Sequence, residues 1–142
     1  MDELKTTDVL DITATQGIAE NDIAENQTQN FPTAPNAEGF YYETPEDKEI
    51  GVQTKTYENG SIIKKVLLPI SKSTAVARIL KAKELKGVRA LLGKTFDDDK
   101  LQNSIITLST TIDNEKQTFE FYEDMYLPDY NRILVINKPN FQ

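Results

Sequence analysis

Apolar residues are sparse and without period up to about residue 49 of this chain, and they become regularly spaced after it. Between Asp8 and Pro35 the sequence is rich in Asn, Gln, Thr and Ala and holds one aromatic residue, Phe31. Such a stretch cannot bury enough apolar surface to offset roughly 1–2 kcal/mol per residue of backbone entropy. The pattern predicts a disordered, acidic, low-complexity arm over residues 1–45 and a folded domain over residues 46–142.

Two features of the arm are suited to contacts, one with a partner and one with the folded domain. Its scattered apolar residues would suit a short recognition segment that orders on a partner, through Val9, Leu10, Ile12, Ile18 and Ile23. The aromatic cluster Phe40-Tyr41-Tyr42 comes just before the patterned region and is suited to docking the end of the arm onto the domain.

A β-hairpin is the first regular element that the pattern predicts. Asn59-Gly60 readily takes the positive φ angles of a tight turn and lies between strand-like runs at residues 50–57 and 62–68. On the second strand Ile62, Val66, Leu68 and Ile70 share one face, which Lys64 interrupts. A two-residue turn would place Lys55 opposite Lys64, an unfavourable pair of like charges, so a longer loop also fits.

Three elements are expected next. Alternation over Thr74 to Leu80 predicts a third strand, and helical spacing over Lys83 to Leu92 predicts a helix that ends at Gly93. A second helix is expected to begin within Asp97 to Asp99, because short acidic side chains cap exposed N–H groups.

The second helix carries an apolar face at spacings of four, three and four, formed by Leu101, Ile105, Leu108 and Ile112. The run from Ser104 to Ile112 is also rich in β-branched residues, so a strand remains an alternative there.

The C-terminal part is predicted to be mostly helical. Asp113-Asn114 reads as a turn and residues 118–121 as a short extended piece, with helices at residues 122–126 and 128–137. The apolar face of the last helix includes Tyr130, Ile133 and Leu134. The fold class is therefore α+β: a small antiparallel sheet, made of the hairpin plus the third strand, followed by three to four helices.

Charge divides the chain at the same place as hydropathy. Residues 1–49 carry twelve acids against two lysines, a net of −10, whereas residues 50–142 carry eleven acids against fourteen bases, a net of +3. The chain has no Cys and no His, and no apolar run approaches the roughly 20 residues that span a bilayer. These features predict a soluble protein of a reducing cytoplasm.

The sequence offers little for catalysis. Without His or Cys there is no common general base or thiolate nucleophile. Asp97-Asp98-Asp99 lacks the alternating spacing of a calcium loop, and Glu120, Glu123 and Asp124 are typical of the solvated side of a short helix. Gly93-Lys94-Thr95 lacks the preceding glycine of a phosphate-binding loop. We expect no enzymatic activity, no cofactor and no metal.

Seven cations lie within 23 positions, with Glu84 the single acid among them: Lys72, Arg78, Lys81, Lys83, Lys86, Arg89 and Lys94. Such a stretch could contact phosphates, which makes a nucleic-acid or polyanion-binding regulator an alternative function, with the acidic arm as an autoinhibitory competitor. Aromatic residues for base stacking are absent from it. Nucleic acid is therefore a less favoured partner, and a merely solvated face explains the charges equally well.

The C-terminal part resembles a known family. The blocks from Ile63 to Pro69 and from Val76 to Gly87 are similar to the opening of the small tail assembly chaperones of tailed bacteriophages. The order of elements from Lys100 to Leu134, and the closing Asn140-Phe141, are similar as well. About 80 residues are covered, from Ile62 onwards. The acidic arm is longer than that family leads one to expect.

This resemblance implies a non-catalytic protein that binds the tape measure protein and assists assembly of the tail tube protein. It also implies a place in the bacterial host cytoplasm and absence from the mature virion. A structural tail or head-completion protein is a further alternative. The candidate partner-binding residues lie on the third strand, on the predicted helices and between them: Arg78, Lys81, Leu85, Val88, Arg89, Leu91, Leu92, Ile133, Leu134 and Ile136. Leu91 and Ile136 fall at the margins of the predicted core stripes.

Overall fold

The computed structural model describes residues 30–93 and 97–141. The chain divides into two units, residues 1–33 and residues 34–142, and the architecture below is that of the second. Most of the predicted arm, residues 1–29, lies outside the described residues. The second unit starts at Ala34, whereas the sequence pattern placed the domain boundary after residue 45. Residues 34–45 are therefore part of the folded unit.

The second unit is an antiparallel sheet with helices, which confirms the α+β prediction. The elements in chain order are α1 (Pro45–Ile50), β1 (Gln53–Thr56), β2 (Ile62–Leu67), β3 (Thr74–Arg78), α2 (Ala82–Leu92), α3 (Asp98–Ser109), β4 (Thr110–Ile112), β5 (Glu115–Lys116), α4 (Phe119–Glu123), α5 (Leu127–Ile136) and a 3₁₀ turn (Lys138–Phe141). The five strands neighbour one another in sequence order. The sheet thus has two more strands than the three predicted.

The hairpin between β1 and β2 is confirmed, with the longer of the two loops considered. Thr56 pairs with Ile62, so Lys64 stands opposite Thr54 and Lys55 opposite Ile63. The Tyr57 N–H donates to the carbonyl of Ser61 at 2.8 Å. Gly60, with φ 91°, supplies the left-handed residue of such a loop. This register separates the two lysines that a two-residue turn would have paired.

One face of the sheet forms the core together with α3, α4 and α5. Val66, Leu68, Ala75 and Ala77 are fully buried in it, and the opposing residues are Ile106, Tyr122, Ile133 and Ile136. The prediction for β2 holds for Val66 and Leu68 but is wrong for Ile70, which is 51% exposed. The reason is that β2 ends at Leu67, so alternation no longer applies in the turn that follows.

The helix α3 turns a different face to the core than predicted. Asn103, Ile105, Ile106 and Ser109 are its buried residues, whereas the predicted Leu101 and Leu108 are only partly buried. The helix ends where Thr110 adopts extended angles, φ −114° and ψ 143°. The β-branched run therefore holds both structures that were left open, a helix through Ser109 and then a strand.

The turn at Asp113-Asn114 is confirmed, with φ 50° and 70°, and it joins β4 to β5. The extended piece predicted for residues 118–121 is wrong. Thr118 caps a helix there, since its Oγ1 accepts a hydrogen bond from the Phe121 N–H at 3.1 Å. The capping hydroxyl outweighs the β preference of the aromatic residues that follow.

Buried polar side chains tie α5 and the 3₁₀ turn to the sheet. The Asp129 carboxylate accepts the N–H groups of Ile70 at 2.7 Å and Ser71 at 3.0 Å. At the other end, the Asn140 amide oxygen accepts the Leu80 N–H at 2.8 Å, and its nitrogen donates to the Arg78 carbonyl at 3.0 Å. These bonds fix the two ends of β3, and hence the point from which α2 begins.

The predicted docking of the aromatic cluster is confirmed for Tyr41. Its backbone forms an antiparallel bridge with Thr54 of β1, through hydrogen bonds of 2.9 and 2.8 Å. Close by, the buried Lys64 ammonium donates to Glu43 at 2.5 Å and to the Thr54 hydroxyl at 3.0 Å. Residues next to the aromatic cluster therefore satisfy the lysine that interrupts the apolar face of β2.

Candidate partner-binding surface

The helix α2 begins directly after β3, and an ion pair holds its first turn to that strand. Arg78 donates two hydrogen bonds to the Glu84 carboxylate, at 2.8 and 3.1 Å. The Lys81 N–H donates to the same carboxylate at 2.9 Å. Arg78 and then Lys81 lower the pKa of Glu84 to about 2. Arg78, predicted as a partner contact, is thus engaged within the domain.

No residue of α2 is buried, although the helix is amphipathic. Leu85, Val88 and Leu92 are partly buried towards α3, and Leu91 on the next face is 89% exposed. A helix of this size in a single-core domain normally buries an apolar stripe, because tertiary packing supplies most of its stability. Only part of the apolar side of α2 is therefore packed against the rest of the domain.

An apolar groove of about 410 Å³ runs between α2 and α3. Val88, Leu91 and Leu92 line it from α2, Leu108 from α3, and Phe119 from the start of α4. The surface continues past Gly87, where a Cβ atom would meet nothing within 4 Å. This groove is open, shallow and lined by side chains that apolar residues of another helix would contact well.

A second cleft of about 380 Å³ lies on the other side of α2. Leu85 and Arg89 contribute from α2, Leu101 and Ile105 from α3, and Phe141 from the 3₁₀ turn. The two clefts flank one helix, so the five predicted residues Leu85, Val88, Arg89, Leu91 and Leu92 do lie on one continuous face of the domain.

The predicted residues on α5 do not join this face. Ile133 and Ile136 have no exposed surface because they pack in the core, so placing Ile136 at the margin of the helix was wrong. The cause is that α5 contacts two strands, β2 and β3, and is buried over a wider arc than one stripe. Leu134 is partly buried and lines a separate cleft of about 740 Å³ with Val135 and Ile50.

Sequence reasoning did not assign Leu108, Lys116 or Phe119 to the groove. Leu108 was assigned to the core, and Phe119 to an extended piece. The Lys116 ammonium donates to the carbonyls of Thr107 and Leu108, which satisfies the end of α3. Burial, and then the nearby Arg78 charge, lower its pKa. The one available signal was Thr118, whose capping preference places Phe119 in a helix.

The carboxylates that were considered for chemistry have structural or solvated positions. Asp97 caps α3, since its Oδ1 accepts the Lys100 N–H at 2.7 Å. Glu120, Glu123 and Asp124 are exposed on and just after α4. Within residues 30–93 and 97–141, no group of three or more His, Cys, Asp or Glu side chains is placed to hold a metal ion.

In that same part of the chain, no helix is both long and apolar enough to cross a membrane. Comparison of the sequence and structure with protein-family models, curated proteins and solved structures gave no match.

Proposed function

We propose that this protein is a non-catalytic assembly chaperone that binds an apolar helical segment of another protein on the face around α2. The observation that carries the proposal is a helix with no buried residue and an 89% exposed Leu91 beside an open apolar groove. Exposed apolar surface of this kind marks interaction sites on soluble proteins.

The client is the tape measure protein of a tailed phage or prophage, with the tail tube protein as a second partner, acting in the bacterial host cytoplasm. The resemblance of residues from Ile62 onwards to tail assembly chaperones supports this choice. A long helical protein exposes apolar stripes before assembly, and a shallow groove can bind many similar stripes weakly.

The cations of α2 add a preference. Lys83, Lys86 and Arg89 are exposed on α2, and Glu84 is already paired with Arg78. A client helix with acidic residues beside its apolar stripe would therefore be steered towards this face, most strongly at low salt.

Co-expression tests the proposal. The soluble yield of a co-expressed phage tape measure protein should rise with the wild-type chain and fall back with Leu91→Asp. Leu127→Asp is the matched control, because Leu127 is also exposed, at 67%, but lies at the start of α5 and lines neither cleft beside α2. Equal yields with the two variants would contradict the proposal.

A further inference from the structure

Within residues 30–93 and 97–141, no helix buries the second face of the sheet, and the Phe40 ring lies against it at Lys65. The helices α3 and α5 pack on the face that holds Val66, Ala75 and Ala77. On the opposite face Ile63 and Val76 remain partly exposed and Leu67 is 56% exposed. The domain is thus a two-layer structure with one open, partly apolar sheet face.

Charge on that open face has one sign. Alternation and the strand register place ten described strand positions there: Gln53, Lys55, Ile63, Lys65, Leu67, Thr74, Val76, Arg78, Thr111 and Lys116. Four of the ten are cations and none is an acid. The chain as a whole carries −7, so this face opposes the overall charge.

Two of these four cations, Lys55 and Lys65, have no acidic partner in the part of the chain that the structure describes, whereas the other two are engaged within the domain. Arg78 is paired with Glu84, and Lys116 donates to the carbonyls at the end of α3. Lys55 and Lys65, by contrast, have no carboxylate within 4.0 Å among the described residues.

Their ammonium groups lie against aromatic rings instead. Lys65 Nζ is 3.9 Å from the ring centre of Phe40, and Lys55 Nζ is 4.9 Å from that of Tyr57. A ring holds the position of a lysine without neutralising it.

The register sets the spacing of charges and apolar side chains. Lys55, Ile63 and Arg78 form one row across three strands, and Lys65 and Val76 are neighbours in the next row. Strands lie about 4.8 Å apart, so each lysine is next to an aliphatic side chain. The face presents an aliphatic centre with cations along the β1–β2 side.

We propose that this open sheet face is a second binding surface, and that its partner is an amphipathic acidic helix. Helices are the elements that cover sheet faces, and acidic residues beside an aliphatic stripe would meet Lys55 and Lys65 while the stripe covers Ile63 and Val76. A nucleic acid fits less well, because the ten positions hold no aromatic residue and the nearby rings of Phe40 and Tyr57 are already in contact with the ammonium groups of Lys65 and Lys55.

The test uses three fluorescent probes and the full chain. The first is a helical peptide of about 20 residues with leucines at helical spacing and glutamates on both flanks. The second has lysines in place of the glutamates, and the third is a single-stranded DNA oligonucleotide. Binding is measured by fluorescence anisotropy at low and at high salt for the wild type, Lys55→Gln/Lys65→Gln, and the control Lys100→Gln, an exposed lysine of α3.

The acidic peptide should bind the wild type and Lys100→Gln alike, and the double variant should bind it about tenfold more weakly. Because the surface around α2 would also bind such a helix, the comparison is repeated in a Leu91→Asp background, where the double variant should still bind the peptide about tenfold more weakly than Leu91→Asp alone. Circular dichroism confirms that the double variant folds.

Equal binding of the acidic peptide by the wild type and the double variant would overturn the proposal. Tighter binding of the lysine peptide or of the DNA than of the acidic peptide would overturn it as well. If only Leu91→Asp weakened binding of the acidic peptide, the site would be the surface around α2 and the proposal for the sheet face would fail.

Discussion

Replacement of Asp129 by alanine tests the hydrogen bonds that hold α5 to the turn between β2 and β3. Asp129 is 2% exposed, and its carboxylate accepts two backbone N–H groups, from Ile70 at 2.7 Å and Ser71 at 3.0 Å. A hydrogen bond to a charged group contributes about 1.5–3 kcal/mol. Both donors belong to exposed residues that water can reach once the carboxylate is gone, so the lower value applies to each bond.

Two bonds at that value give a loss of about 3 kcal/mol in the free energy of unfolding. This is a large share of the roughly 5–15 kcal/mol that holds a domain of this size together. At about 4 °C per kcal/mol, the midpoint of thermal unfolding should fall by about 12 °C.

Far-UV circular dichroism of the full chain measures the change, with Asp129→Asn as the matched variant. The asparagine keeps the shape and one acceptor oxygen, so it should lose about half as much. A midpoint for Asp129→Ala within about 3 °C of the wild type would refute the reasoning, as would an asparagine variant no better than alanine.

The remaining predictions concern two titrating groups. The pKa of Glu84 is lowered from 4.5 to about 2, so its stabilising contact with Arg78 is present above pH 4.5 and is lost as pH falls towards 2. Glu84→Gln should remove this pH-dependent loss of stability, which amide exchange of α2 measures. The loss should stay below about 1 kcal/mol because the ion pair is solvent-accessible. Equal pH dependence in the wild type and the variant would contradict the prediction. Burial raises the pKa of Tyr122 to about 12, so in a spectrophotometric titration Tyr122→Phe should remove the tyrosine that ionises last, and loss of an earlier one would argue against the burial.

Local signals in the sequence were sufficient to predict turns and helix ends, which depend on only a few neighbouring residues. Asn59-Gly60, Asp97 and Gly93 each act on the adjacent backbone, and the hairpin, the start of α3 and the end of α2 lie at or next to the predicted positions. The same holds for the Asp113-Asn114 turn.

Features that depend on contacts between residues far apart in the chain could not be predicted from the sequence. Strand β4 exists because Ala75 and Ala77 pair with it across the sheet, and its own residues fit a helix equally well. Ile136 looked marginal by helical spacing, yet the width of the sheet beneath α5 buries it completely.

The roles of the charged residues could likewise be predicted only where they depend on local sequence. The basic residues of α2 were evident from composition, whereas the pairing of Arg78 with Glu84 depends on how the helix leaves the strand. Lys55 was considered in the sequence only for its position opposite Lys64, and only the observed register places it with Lys65 on one open sheet face.

The central claim is that the face around α2 holds the client, and amide hydrogen exchange of the purified complex tests it most directly. Exchange of α2 amides should slow on binding, together with that of the neighbouring turns of α3, while amides of α5 exchange as in the free protein. Unchanged exchange in α2, with new protection confined to α5 or to residues 69–73, would contradict the account.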